Sequence, residues 1–427
     1  MAPFFVVEGG HRLSGTVRPA GNKNAALPIL AAALLADGPC VLDNVPRIRD
    51  VETMCELLVS LGATAAWEAE HTLALDARPA RAGDPDPALC GKIRASVLLA
   101  GPLLARFGRV RLPPPGGDVI GRRRIDTHLL ALQRLGAEIE VGASYDFEAK
   151  TLVGAEVFLD EASVTGTENA MMAAAGAKGT TVLRNAASEP HVQDLARFLV
   201  ALGAEIEGIG TNMVTIHGGR PLAGTRFALG PDHIEIGSFL GLAAVTNSPI
   251  TIEGVRPDDL RAVLMGFERL GVVPTLDGDR MTVAAGQARR VRDDLGGHVS
   301  KLEDGPWPAF PADLMSIALV TATQCEGLIL LFEKMFESRL FFVDKLIGMG
   351  ARIVLCDPHR AVVAGPSALR AGVVESPDIR AGMAILLAAL AAEGTSTIYN
   401  AGQIERGYER LPERLGALGA VIRREER

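Results

Sequence analysis

Apolar positions along this chain follow two alternating periods. Stretches with apolar residues three and four apart, such as Leu129, Leu132 and Leu135 in the run after Ile125, predict amphipathic helices. Short runs such as Val110-Arg111-Leu112 and Glu138-Ile139-Glu140 predict strands. The pattern repeats. An apolar residue followed by Gly, and then usually Ala, ends a helical stretch at Leu61-Gly62-Ala63, Leu135-Gly136-Ala137, Leu202-Gly203-Ala204, Leu270-Gly271-Val272, Met349-Gly350-Ala351 and Leu418-Gly419-Ala420. These glycines stand 67 to 79 residues apart, each where a helix C-cap needs a left-handed residue.

Each repeat also holds an earlier Ala/Leu-rich helix. The six are expected to begin near Lys23-Asn24, Lys92-Arg94, Thr167-Glu168-Asn169, His233-Glu235, Asp313 and Asp378-Arg380. Strands follow at residues 40–42, 110–112, 181–183, 250–252, 328–330 and 397–399, and then polar loops such as Arg47-Ile48-Arg49-Asp50. The unit reads strand, helix, strand, helix, strand, strand. Six copies divide as three plus three, which predicts two similar lobes with anion-binding helix starts lining a cleft. Caps alone explain Thr167 or Asp313, but Lys23, Arg94 and Arg380 are cations at helix starts and call for a compensating anion.

The run from Leu112 to His128 stands out within this pattern. A strand ends at Pro113-Pro114-Pro115, Gly116-Gly117 frees the backbone, and Asp118 precedes Arg122-Arg123-Arg124. Taken alone it reads as an ordinary turn with solvated arginines. An acid beside clustered cations also suits proton transfer to an anionic substrate.

Composition narrows the class. The chain has 427 residues, 48% hydrophobic and 4% aromatic, which fits a helix-rich α/β or α+β protein and excludes disorder. The longest apolar run, Ala25 to Ala36, contains Pro28 and is too short to span a bilayer. No secretion signal opens the sequence, so a cytoplasmic location without membrane partners is expected. The five scattered cysteines show no metal-ligand or disulfide spacing. A net charge of −8 argues against nucleic-acid partners. No dinucleotide or P-loop glycine fingerprint is present.

Several motifs, in order, resemble the enolpyruvyl transferases over nearly the whole length. They are Gly21-Asn22-Lys23-Asn24-Ala25-Ala26-Leu27-Pro28, Arg94-Ala95-Ser96 with Gly101-Pro102-Leu103, the Gly116-to-His128 loop, and Pro308-Ala309-Phe310-Pro311-Ala312-Asp313. Phe336-Glu337-Ser338-Arg339, Asp378-Ile379-Arg380-Ala381 and Arg406-Gly407-Tyr408-Glu409-Arg410 complete the set. The resemblance implies an α/β (α+β) two-lobed fold, with six βαβαββ repeats arranged as two inside-out α/β barrels of three repeats each. It also implies transfer of the enolpyruvyl group of phosphoenolpyruvate to the 3-hydroxyl of UDP-N-acetylglucosamine. Phosphate leaves through a tetrahedral intermediate, in the first committed step of peptidoglycan precursor synthesis, and hence in cell shape and division.

By that resemblance Asp118 donates a proton to C3 and Asp313 takes one from the sugar hydroxyl. Lys23, Arg123 and Arg406 grip phosphoenolpyruvate, with Arg380 nearby. Asn24, Arg94, the segment Arg123, Arg124, Ile125, Asp126 and Thr127, then Ser163, Val164, Thr165 and Gly166, with Asp313 and Met335, match positions that bind the UDP-sugar; Arg339 joins the substrate set. No metal and no cofactor is expected, because the cations neutralise the charge. A proton donor must keep its proton until it is used, so substrate charge must offset the arginines beside Asp118.

Four positions depart from the family pattern. Asp118 stands where Cys is usual, as in a subset of the family, which implies insensitivity to alkylation by fosfomycin. Arg124 replaces a usual Pro, Glu161 a frequent Lys and Ala312 a frequent Thr. Transfer to 3-phosphoshikimate, a non-catalytic sugar-nucleotide-binding paralogue and an RNA-end-processing enzyme are the competing readings. The glycine-rich acid loop, the pair Asp118 and Asp313, and the net acidity respectively weigh against them. The repeat count places one lobe at residues 22–230 and the other at 1–21 plus 231–427, with closure about Ala20-Gly21 and Gly230-Pro231.

Overall fold

The computed structural model describes residues 2–118, 120–121 and 123–426. Met1, Val119, Arg122 and Arg427 lie outside the described residues, so Arg122 of the arginine run receives no structural account. The chain forms two compact units, one of residues 2–20, 120–121 and 231–426 and the other of 21–118 and 123–230.

Each unit is built around helices that are buried over most of their length. In the second unit these are Lys23–Ala32, Ala100–Phe107 (entered through the 3₁₀ turn Arg94–Leu99) and Val164–Gly176; in the first they are His233–Val245, Met315–Ala322 and Ile379–Ala391. Every residue of His233–Val245 is buried. A helix without a polar face must be enclosed, and here sheets and amphipathic helices enclose it. Arg49–Ser60 shows the contrast, since it buries Val51, Met54, Leu57 and Leu58 along one stripe.

Each unit carries three sheets. The full repeat is clear at Glu156–Phe158, Val164–Gly176, Gly179–Arg184, Pro190–Leu202, Glu205–Glu207 and Met213–Gly218. Its first two strands pair in parallel across the helix and the rest are antiparallel. The sheet of Arg109–Leu112, Tyr145–Glu148 and Glu138–Val141 has only three strands.

At the two passages between units the leading strand stays behind. Gly15–Val17 precedes helix Lys23–Ala32 but pairs with Ile250–Glu253, while Arg226–Ala228 precedes His233–Val245 but pairs with Cys40–Asp43. Pro3–Gly9 lies between Gly394–Tyr399 and Val421–Glu426, completing the last repeat with the first strand of the chain.

All six repeat glycines, Gly62, Gly136, Gly203, Gly271, Gly350 and Gly419, have φ between 73° and 116°. That is the left-handed region the C-cap requires. The helix starts differ in detail from expectation. The helix placed near Thr167 begins three residues earlier, at Val164, because Ser163 caps it. Those placed near Lys92-Arg94 and at Asp313 open as 3₁₀ turns before the α-helix.

Candidate active site

Two groups of candidate residues form, one in each unit. In the second unit, helix Lys23–Ala32 starts at Asn22, whose side chain accepts from the N–H groups of Asn24 (2.9 Å) and Ala25 (3.3 Å). Lys23 follows, nearly buried, with its ammonium 2.8 Å from Asp50 Oδ2. The anion that a cation at this helix start demands is supplied by the protein itself. Asn24 is half-buried beside it.

Arg94 meets its charge requirement differently. Its Nη2 donates to the carbonyls of Arg123 (2.6 Å) and Arg124 (3.1 Å), tying down the approach to helix Asp126–Arg134. Burial, and then the Arg123 charge, push its guanidinium down to about 10. Ile125 is buried at the start of that helix, and Thr127 Oγ1 donates to Asp160 Oδ1 at 2.7 Å. Arg124 is exposed and pairs with Asp126, with Asp160 4.0 Å away.

The segment Ser163, Val164, Thr165 and Gly166 sits against this helix start. A Cβ on Gly166 would stand 3.0 Å from Thr127 Cγ2 and from the Ser163 side chain, tighter than ordinary contact, so the two segments pack closely here. Two motifs 36 residues or more apart in sequence thereby become neighbours.

The glycines before Asp118 lie on backbone. A Cβ on Gly116 would fall 1.8 Å from Gly91 O, and one on Gly117 2.8 Å from Arg94 Cβ. Gly117 also has φ +105°. Both are therefore needed for close packing against the segment leading into Arg94. Asp118 follows, half-buried.

In the first unit Asp313 is the centre. Its Oδ1 accepts from Arg339 Nη2 at 3.0 Å and its Oδ2 from Arg380 Nε at 3.0 Å. The arginines are 2% and 5% exposed, whereas the Asp313 side chain is 29% exposed. Burial by itself would lower Arg380, but Asp313, Tyr408 and Asp232 outweigh it and hold its guanidinium above the ordinary value. Arg380 also lies over the Tyr408 ring, 5.4 Å from its centroid, and Tyr408 hydrogen-bonds Ser238 Oγ at 2.9 Å. Asp378 caps the helix by accepting from the Arg380 and Ala381 N–H groups.

Behind Arg339 two buried acids face one another. Glu333 Oε1 accepts from the N–H groups of Met335 (3.2 Å) and Phe336 (3.1 Å), and Asp304 Oδ1 from that of Lys334 (2.5 Å). Burial pushes Glu333 up to about 9, with Arg339 opposing and Asp304 adding to the rise. These caps place Met335, which is 40% exposed. Arg406 is half-buried and donates to Gln403 Oε1 at 3.0 Å.

The roles of Asp50, Asp304, Glu333 and His128 were not assigned from sequence. Asp50 carried a signal, because it falls in the polar loop that recurs in each repeat; Asp304 carried none. Among the described residues one group, Glu205, Glu207 and His217, has metal-ligand spacing, but it is largely exposed and Glu205 pairs with Arg220. No helix of the described residues is long and apolar enough to cross a membrane.

Known proteins resemble the chain throughout. The family model for EPSP synthase (3-phosphoshikimate 1-carboxyvinyltransferase) matches residues 7–415. A UDP-N-acetylglucosamine 1-carboxyvinyltransferase from Bradyrhizobium diazoefficiens is 66% identical over 425 residues, covering 99% of each chain. One from Treponema denticola is 52% identical over 99% of each chain. Among solved structures, the enolpyruvyl transferase NikO from Streptomyces tendae is 26% identical, covers 99% of each chain and superposes with a TM-score of 0.88. EPSP synthase from Acinetobacter baumannii, 17% identical with a TM-score of 0.75, shares the fold. A family model matched over most of the chain, and full-length relatives at up to 66% identity, make this protein a transferase of the EPSP synthase family.

Proposed function

We propose that this protein transfers the enolpyruvyl group of phosphoenolpyruvate to the 3-hydroxyl of UDP-N-acetylglucosamine, releasing phosphate, as the first committed step towards peptidoglycan. The observation that carries this reading is Asp313, an acid that reaches solvent while two buried guanidinium groups grip it. It stands in a chain 66% identical over its full length to a protein named for that reaction.

The chemistry assigns the parts. In the addition step the sugar oxygen bonds to C2, its proton passes to Asp313 and C3 receives a proton from Asp118. In the elimination step the Asp118 carboxylate takes a proton back from C3, the C–H electron pair re-forms the C2–C3 double bond, and the bond from C2 to the phosphate oxygen breaks, phosphate leaving with the proton that Asp313 took from the sugar. Two guanidinium partners favour the ionised, proton-accepting form of Asp313. Lys23, Arg123, Arg380 and Arg406 balance the phosphate and carboxylate of phosphoenolpyruvate. Asn24, Arg94, residues 123–127 and 163–166, with Asp313 and Met335, hold the sugar nucleotide, and Arg339 keeps Asp313 in place. Lysine and arginine neutralise substrate charge without a metal. A cytoplasmic setting agrees with the five unpaired cysteines.

The test is phosphate release with phosphoenolpyruvate and either UDP-N-acetylglucosamine or 3-phosphoshikimate. Release with the sugar nucleotide alone is the expected result. Release with 3-phosphoshikimate alone, or with neither, overturns the reading.

A further inference from the structure

Three helix starts in the second unit share a buried hydrogen-bond chain for which the transfer chemistry has no use. His128, in helix Asp126–Arg134, is 1% exposed. Its Nδ1 lies 2.9 Å from Asn169 Nδ2 and its Nε2 3.0 Å from Thr165 Oγ1. The amide of Asn169 settles where the ring proton sits. Asn169 Oδ1 accepts from the Gly101 N–H at 2.7 Å, so turning the amide over would set two donors against each other. Asn169 Nδ2 then donates to Val97 O at 2.7 Å and to His128 Nδ1.

With Nδ1 accepting, the neutral ring carries its proton on Nε2, and Nε2–H donates to Thr165 Oγ1. Burial, reinforced by the Arg94 charge, pushes His128 down to about 3, so the ring stays neutral. Thr165 is thus left with its own hydroxyl hydrogen to give, and no acceptor for it lies among the described residues. Thr165 is half-buried on the first turn of the 13-residue helix Val164–Gly176. A helix start favours an anion, and a hydroxyl that already accepts a hydrogen bond is polarised to donate.

We propose that His128 is a positioning residue that makes Thr165 Oγ–H an obligate donor to a phosphate oxygen of the sugar nucleotide. The inference rests on the reading that residues 163–166 hold UDP-N-acetylglucosamine. A hydroxyl free to turn would donate there only part of the time. The locked one is pre-organised for an oxygen that bears charge and accepts only.

The experiment measures UDP-N-acetylglucosamine binding by calorimetry, and KM and kcat by phosphate release, for the wild type, H128N, H128Q, T165V and H128N/T165V. Asn at 128 falls short of Thr165, whereas the amide of Gln spans the distance of the imidazole Nε2. H128N and T165V should each weaken nucleotide binding roughly tenfold and raise KM more than they lower kcat. H128Q should recover most of the loss, and the double variant should be no weaker than T165V. Unchanged binding in T165V, or multiplied losses in the double variant, overturns the inference. A wild type that binds the nucleotide tightly while H128N lowers kcat alone also overturns it. A wild type that neither binds nor turns over the nucleotide overturns the functional reading itself.

Discussion

Arg380 Nε donates to Asp313 Oδ2 at 3.0 Å, from a guanidinium that is 5% exposed to a carboxylate whose side chain is 29% exposed. The acid therefore reaches solvent from an anchor set in the core. Replacing Asp313 with Asn leaves two buried cations facing an amide. Breaking a buried pair on one side costs about 3–5 kcal/mol, and losing a general base costs roughly 10²–10⁴ in rate. Denaturant unfolding and phosphate release should record both losses. Turnover within tenfold of the wild type would remove Asp313 from the mechanism.

Asp118→Asn keeps the shape of the loop acid and removes its transferable proton. Turnover should fall by about 10²–10⁴ while nucleotide binding is retained. Near-normal turnover would exclude Asp118 as the donor. The loop from Leu112 to Gly121 has no thiol, so the wild type should stay active and unmodified in mass after fosfomycin treatment.

Gly117→Ala combines two penalties, a φ of +105° and a Cβ placed 2.8 Å from that of Arg94. A loss of about 1–3 kcal/mol is expected, together with reduced activity as the segment before Asp118 lifts away. Gly142→Ala, whose Cβ would meet nothing within 4 Å, is the control and should change stability by less than about 0.5 kcal/mol. Equal effects at the two positions would refute the close-packing role.

His128 ties stability to pH. Its folded value of about 3 lies below the ordinary 6.5, so between these the unfolded chain takes up the proton and the folded chain does not. Stability should therefore fall as pH drops below 6.5 and be complete above it. In H128N this share of the acid sensitivity should vanish. Parallel stability curves for wild type and variant between pH 6.5 and 4 would show that the ring is not held neutral.

The loop that draws attention in the sequence shows how far local information reaches. Its glycines, acid and arginines were visible, but the reason for Gly116 is the carbonyl of Gly91, twenty-five residues earlier. The cations at helix starts posed the right question. Their compensating groups, Asp50 for Lys23, backbone carbonyls for Arg94 and Asp313 for Arg380, come from elsewhere in the chain. The helix expected near Thr167 starts three residues earlier, at Val164, because the Ser163 side chain accepts from the Gly166 N–H and caps it.

The sequence alone determined the repeat, its six strands at 40–42, 110–112, 181–183, 250–252, 328–330 and 397–399, and the six helix ends at left-handed glycines. These follow from neighbours only a few residues apart, through periodicity and φ. Tertiary structure alone decided which strand completes which sheet, as when Gly15–Val17 joins Ile250–Glu253 rather than the helix that follows it. It also decided which buried charge faces which, and that a histidine, an asparagine and a threonine share one buried hydrogen-bond chain. Such pairings depend on burial and on contacts between residues far apart in the chain, where each polar group must find a partner out of reach of water.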